Sequence, residues 1–238
     1  MARSKTGVKP ATKTRILLVD DHPLMREGLG ARINRERDMT VCGEAGTAAE
    51  ALEAMERLKP DLTIVDISLP GRDGIELLKD ARSRFPKAVL LALSFHDESL
   101  YAERALRAGA AGYLMKSMPP DQLITAIRRV IAGEIAVSAA TANRILRNAS
   151  DAGTSQTQSK VSLLSDRELE VFYLLGEGHQ RERIATELNL SVKTVDCHRT
   201  KICQKLGLRT LAELLQYAVQ YAPGEIPSRR SPPKAASR

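Results

Sequence analysis

Two kinds of hydrophobic spacing divide the chain. From Arg15 to about Gly133, short apolar runs alternate with segments whose apolar residues recur every three or four positions. The runs RILLV (15–19), TVCGEA (40–45), LTIVD (62–66), AVLLALS (88–94) and AGYLMK (111–116) predict five strands. Between them, Leu24–Asn34, Ala48–Leu58, Ile75–Arg84, Glu98–Ala108 and Asp121–Ala132 carry helical spacing. Thr47 with Glu50 reads as a capping box, Pro23 suits a first helical position, and Gly109 ends the fourth helix. Strands alternating with helices predict the α/β class: a doubly wound, five-stranded parallel sheet, buried on both faces because its strands are almost continuously apolar.

The second half differs. Residues 138–148 have the spacing of one more short helix, and NASDAGTSQTQSK (148–160) then loses all periodicity. From Leu163 to Ala222 the pattern is purely helical, with predicted helices over Asp166–Leu175, Arg181–Glu187 and Val192–Leu206 and a last one from Thr210. Ser165 with Glu168 is a second capping box. The expected organisation is an α/β domain over 14–134, a linker over 135–160, an all-α four-helix domain over 161–222, and disordered tails at 1–13 and 223–238.

Composition narrows this picture only a little. The net charge of +7 suggests a polyanionic partner, but it is carried as +4 in 1–13, −2 in 14–134, +2 in 135–160, 0 in 161–222 and +3 in 223–238. The excess therefore sits in the tails and linker, where basic residues usually serve solubility. Within the helical domain the distribution is more telling: −3 over 161–192, +4 over 193–209 and −1 over 210–222. No run of about 18 apolar residues exists, and Cys42, Cys197 and Cys203 lack metal-ligand spacing. A cytoplasmic protein that does not enter a membrane is expected.

The candidate chemistry lies at the strand ends. In an open parallel sheet, ligands bind beyond the carboxyl ends of the strands. Those ends carry Asp20 and Asp21 after the first strand, Asp66 after the third, Ser94 after the fourth and Lys116 after the fifth. Neighbouring carboxylates repel, by about 4 kcal/mol at about 4 Å when the effective dielectric is about 20. Three of them on one rim call for a divalent cation, and all-oxygen ligation favours Mg²⁺. Asp66 is then the candidate nucleophile for a phosphoryl group, with Lys116 neutralising charge on the transferred oxygens and Ser94 within reach of one of them. Pro70 and Gly71 are expected to turn the chain away and leave Asp66 at the open edge.

At these residues the chain resembles the receiver domain of bacterial response regulators: VDDHP, DISLPGRDG, LALS and GYLMK occur in order across 14–134. The resemblance implies the CheY-like strand order 2-1-3-4-5 and Asp66 as phosphoacceptor. It implies Asp20, Asp21 and the backbone carbonyl of Ser68 as further metal ligands, Ser94 and Tyr113 as a switch pair, and Lys116 as a phosphate contact. Phe95 stands where the family commonly has a small residue, and Ser117 where proline is frequent after the lysine. His22 and His96 read as lone histidines without metal geometry.

Two helices joined by a tight turn and flanked by supports form a helix-turn-helix plan. With Val195, Ile202 and Leu206 inward, the third helix turns Lys193, Asp196, Cys197, Thr200, Lys201 and Gln204 outward, a hydrogen-bonding face suited to base edges in a major groove. This segment resembles the LuxR-type helix-turn-helix, and the whole chain resembles a NarL/FixJ-type two-component response regulator. The resemblance makes Asp196, Cys197 and Thr200 base-reading candidates and places Lys193, His198, Arg199 and Lys201 near phosphates. Asp196 and the sequence HQRER (179–183) depart from the family pattern. The last helix offers Leu211, Leu214, Leu215, Ala218 and Val219 for core packing or a dimer seam.

The expected function is a phosphorylation-controlled transcriptional regulator, not an enzyme. A histidine kinase phosphorylates Asp66, the packing of the two domains changes, and a homodimer binds double-stranded promoter DNA, with RNA polymerase as a further partner. Two alternatives stay open at this point. A phosphorelay module whose helical half binds a protein is opposed by the basic third helix. A phosphatase of the haloacid-dehalogenase kind lacks the expected second aspartate, since Ser68 stands there.

Overall fold

A computed structural model describes residues 13–69, 74–150 and 160–220, without the side chains of 148–150 and 162. The expected turn at Pro70 and Gly71, the linker residues 151–159, residues 1–12 and the tail 223–238 lie outside the described residues. The chain divides into two units, 1–158 and 159–238.

The first unit contains β1 (Thr14–Val19), α1 (Pro23–Asn34), β2 (Met39–Ala45), α2 (Ala48–Leu58), β3 (Leu62–Asp66), α3 (Gly74–Arg84), β4 (Val89–Ser94), α4 (Glu98–Arg107), β5 (Tyr113–Met115), α5 (Pro120–Ile131) and α6 (Ala139–Ser150). The strands form one parallel sheet in the order β2-β1-β3-β4-β5. Alternate residues of a strand face opposite sides. Ile16, Leu18, Leu62, Ile64, Leu91 and Leu93 accordingly pack with Ile33 of α1 and Leu123, Ile124 and Ile127 of α5. Helices α2 and α3 pack on β1, β2 and β3 through buried Ala51, Leu52, Met55, Leu77 and Leu78. With both faces covered, only the strand ends remain for polar chemistry.

Local signals work as expected, with one shift. Thr47 caps α2 by accepting the Glu50 N–H, but the Glu50 carboxylate accepts the N–H of Gly46 rather than that of Thr47. Gly74 opens α3 against the backbone beyond β3: a Cβ there would lie 2.2 Å from the carbonyl oxygen of Asp66. The phosphoacceptor candidate is therefore held by a close approach that only glycine permits.

Residues 135–150 do not behave as a free linker. The chain bridges from Ala136 to Gly112, the Tyr113 N–H donates to the Ala136 carbonyl at 2.9 Å, and the Glu98 carboxylate accepts the Ser138 N–H at 2.7 Å. Helix α6 then packs on α4. A bare edge at β5 offers unpaired backbone groups, and this segment satisfies them.

The second unit begins with a 3-10 turn (Lys160–Leu163), followed by α7 (Asp166–Gly176), α8 (Arg181–Glu187), α9 (Val192–Leu206) and α10 (Leu211–Val219). Ser165 and Glu168 complete a capping box, while Ser191 and Thr210 cap α9 and α10 through the N–H groups of Thr194 and Glu213. Gln180 gives α8 no side-chain cap. Asn189 takes a left-handed conformation (φ 51°) in the turn before α9, which asparagine tolerates better than most residues. Phe172, Ile184, Val195, Ile202, Leu206 and Leu214 form the core.

Of the two readings of α10, core packing holds for two of its residues, and for them the seam does not. Leu214 and Ala218 are buried in this core and are not free for a seam, because α10 packs directly on α7. Leu211, Leu215 and Val219 remain exposed.

Candidate functional site

The sheet brings the expected residues to one rim. Asp66 ends β3, and Lys116, just past β5, reaches back so that its ammonium lies 2.7 Å from Asp66 Oδ2 and 2.7 Å from Asp20 Oδ2. The Lys116 and Asp66 side chains are each only 1% exposed. Burial pushes the Asp66 carboxyl above the usual aspartate range, and the Asp20 charge adds to this, while Lys116 and the Ser68 N–H (3.1 Å from Oδ1) oppose it. A buried carboxylate with a raised pKa, a cation and a second acid is an arrangement found at functional sites.

Asp20, Asp21, His22 and Asp66 each offer a ligand atom, all within 4.8 Å of one another. The three carboxylates suit a hard cation such as Mg²⁺, which prefers oxygen. His22, read as a lone residue, instead lines this cluster: its N–H donates to Asp20 Oδ1 at 2.9 Å and its Nδ1 lies 2.7 Å from Asp21 Oδ1. Arg26 of α1 also went unnoticed in the sequence. It donates to the Asp20 carbonyl and pairs with Glu44 on β2, which ties the acidic loop to the sheet.

The far side of the site is organised around His96. Its N–H donates to Ser94 Oγ (3.0 Å), its carbonyl accepts the Tyr113 hydroxyl (2.9 Å), and its Nε2 lies 3.0 Å from Ser68 Oγ. The ring stacks on Tyr101 with centroids 4.8 Å apart. Burial and the Lys116 charge lower its pKa to about 4, so the imidazole is neutral near pH 7. Burial likewise raises the Tyr113 phenol, which stays protonated as a donor. Ser94 and Tyr113, expected as a pair, are thus joined through the His96 backbone. The signal was its place two residues after Ser94. Phe95 is 62% exposed, with its ring 5.1 Å from the Lys116 ammonium at the mouth of the site.

In the second unit, α9 turns Lys193, Cys197, Thr200, Lys201 and Gln204 to solvent and buries Val195, Ile202 and Leu206. Asp196, expected among the base readers, has arginine on both carboxylate oxygens: Arg199 Nη1 at 2.7 Å from Oδ1 and Arg181 Nη1 at 3.3 Å from Oδ2. His198 is half-buried, and burial lowers its pKa, which disfavours its charged form. Lys205, on the same helix, pairs with Glu168 at 2.6 Å. Among the described residues no helix is long and apolar enough to cross a membrane.

Comparison with known proteins agrees with this geometry. Residues 16–128 match the response regulator receiver domain, and residues 162–218 match the luxR family of bacterial regulatory proteins. The chain is 36% identical over 211 residues to the oxygen regulatory protein NreC of Staphylococcus aureus, covering 87% of this chain and 97% of that one. Among solved structures, RcsB of Salmonella typhimurium matches with TM-score 0.62 and 25% identity, covering 89% of this chain and 99% of that one. RcsB bound to a promoter in the presence of the phosphomimetic BeF3⁻ matches with TM-score 0.57 and 25% identity, over 88% of this chain and all of that one. A LuxR-family two-component response regulator from Aurantimonas sp. SI85-9A1 is 37% identical with TM-score 0.54, over 58% of this chain and 99% of that one.

Proposed function

The chain belongs to the two-component response regulators that join a receiver domain to a LuxR-type DNA-binding domain, a family of transcriptional regulators and not of enzymes, and we propose that Asp66 phosphorylation switches its affinity for promoter DNA. The observation that carries this reading is Asp66 sealed at the end of β3, with the Lys116 ammonium paired to it and to Asp20 at 2.7 Å each. A carboxylate oxygen of Asp66 attacks the phosphorus of a kinase phosphohistidine, the P–N bond breaks, and the imidazole leaves, giving a mixed anhydride. Lys116 holds positive charge where the phosphoryl oxygens arrive. Mg²⁺ held by Asp20, Asp21, Asp66 and the Ser68 carbonyl would supply further charge neutralisation at that point.

The new anion adds about −1.5 to −2 charge, if the phosphoserine value applies, beside a hydroxyl and a backbone that can move. Ser94 Oγ, which now accepts from the His96 N–H, is the group to bond a phosphoryl oxygen, and Tyr113 repositions with it. A switch requires the phosphoryl group to favour one arrangement of these residues over the other. In the helical unit, Cys197 and Thr200 face base edges, and Lys193, Arg199 and Lys201 serve phosphates. RcsB, a protein with the same two units, bound to promoters in the presence of a phosphomimetic, supports this order of events. Exposed Leu211, Leu215 and Val219 are the candidates for a homodimer contact. A cytoplasmic location and action on RNA polymerase fit a kinase-fed promoter binder.

The test is a DNA titration with and without a small phosphodonor. Phosphodonor and Mg²⁺ should tighten promoter binding by wild type at least tenfold and leave Asp66→Ala unchanged. Equal affinity of treated wild type and Asp66→Ala would contradict the reading.

A further inference from the structure

Two oddities of the helical unit meet in one place. Arg181 belongs to the HQRER segment that opens α8, Asp196 puts an anion on the outer side of α9, and the two side chains are paired at 3.3 Å. Arg199, one helical turn on, pairs with the other oxygen of Asp196 at 2.7 Å and is largely buried, its side chain 17% exposed. Arg181 also holds Glu182 through Nε at 2.8 Å. Two guanidinium groups beside the proposed DNA face are therefore tied down by carboxylates before any DNA arrives.

We propose that Asp196 sets specificity by restraint: it holds Arg181 and Arg199 away from indiscriminate phosphate contact and does not itself read a base. This inference rests on the DNA-binding reading above. Non-specific binding comes almost entirely from cations that neutralise phosphates. An arginine engaged by a carboxylate contributes less to that term, because the ion pair must be given up first. The Arg181–Asp196 pair is half-exposed on both sides, and such pairs are weak, worth about 0 to 1 kcal/mol. A phosphate in the right register can therefore displace the carboxylate, while a poorly placed one gains little. An unpaired carboxylate facing a groove would be repelled by the phosphates, and the two arginines offset that cost. The basic excess over 193–209 explains the need for restraint, since +4 on one helix and the turn that follows it favours any duplex.

The test uses the full chain treated with acetyl phosphate and Mg²⁺. Duplexes are first selected by wild type from a pool with a randomised centre. A selected duplex and a scrambled duplex of equal length are then titrated over a salt series. Asp196→Asn should bind the scrambled duplex about tenfold more tightly, with a salt slope steeper by about one. Its affinity for the selected duplex should change less than about threefold, so that the ratio between the two falls. Asp196→Glu, which keeps the charge, should hold the wild-type ratio. Arg181→Ala should weaken scrambled binding, and adding it to Asp196→Asn should cancel much of the gain. Scrambled-duplex affinity unchanged in Asp196→Asn would overturn the proposal; a preference lost at one base pair in the same variant would make Asp196 a base reader. Wild type that retains no duplex at all would overturn the DNA-binding reading and this inference with it.

Discussion

The Lys116 ammonium lies 2.7 Å from Asp66 Oδ2, with both side chains sealed from water. Each makes the other tolerable. Removing the cation as Lys116→Met leaves Asp20 and Asp66 facing each other in a dry pocket. The expected cost is about 3 kcal/mol of stability at pH 7, measured by urea unfolding, together with at least about a hundredfold slower phosphorylation of Asp66. Unfolding at lower pH should recover part of the stability loss as the carboxyls protonate.

His96 gives a pH dependence with a definite sign. Its folded pKa is about 4 against 6.5 for the free ring, so the folded state disfavours its proton. Stability from this group is complete above pH 6.5 and is lost as pH falls towards 4, by as much as about 3 kcal/mol. Asp66, whose pKa is raised, works in the opposite direction over the acidic range. The difference between wild type and His96→Gln isolates the histidine: the gap between their stability curves should narrow steadily from pH 6.5 to 4. Parallel curves would contradict the assignment.

Much of this arrangement was legible in the sequence, and for a reason. A parallel sheet gathers its strand ends on one rim, so reading only the residues after each apolar run located Asp20, Asp21, Asp66, Ser94 and Lys116 without coordinates. The helix caps at Thr47 and Ser165 are equally local. The misses were contacts between distant segments. His96 is a lone histidine in sequence and becomes the link between Ser68, Ser94 and Tyr113 only when β3, β4 and β5 lie side by side. Periodicity on α10 marked Leu214 and Ala218 as apolar but could not tell a surface seam from the face packed on α7. Residues 135–138 lack any strong pattern, and their place on the edge of β5 depends on a backbone bridge that side-chain patterns do not encode.

Gly112 tests that bridge. A Cβ at this position would lie 2.5 Å from the Ala136 carbonyl oxygen and 2.8 Å from the Ala136 Cβ. Backbone cannot yield as a side chain can, so Gly112→Ala should displace the 136–138 segment at a cost of about 1 to 3 kcal/mol. Hydrogen exchange should show the Tyr113 and Ala136 amides losing protection while those of β1 and β3 keep theirs.

Metal dependence follows from the donor set. Chelation of Mg²⁺ with EDTA should slow phosphorylation by acetyl phosphate by at least about a hundredfold, since a Lewis acid at such a site supplies several kcal/mol. Asp21→Asn should raise the Mg²⁺ concentration needed for half-maximal rate and leave the fold intact, because Asp21 is only partly buried. A rate indifferent to Mg²⁺ would show that Lys116 alone provides the charge.

The central claim, that the carboxyl at position 66 becomes a mixed anhydride, is tested most directly by intact-mass spectrometry after incubation with acetyl phosphate and Mg²⁺. The account predicts the added mass of a single phosphoryl group in wild type, stable to acid, removed by base, and missing from Asp66→Asn. A wild-type mass that never shifts, with this donor or with a phosphorylated kinase, would contradict it, as would an equal shift in Asp66→Asn.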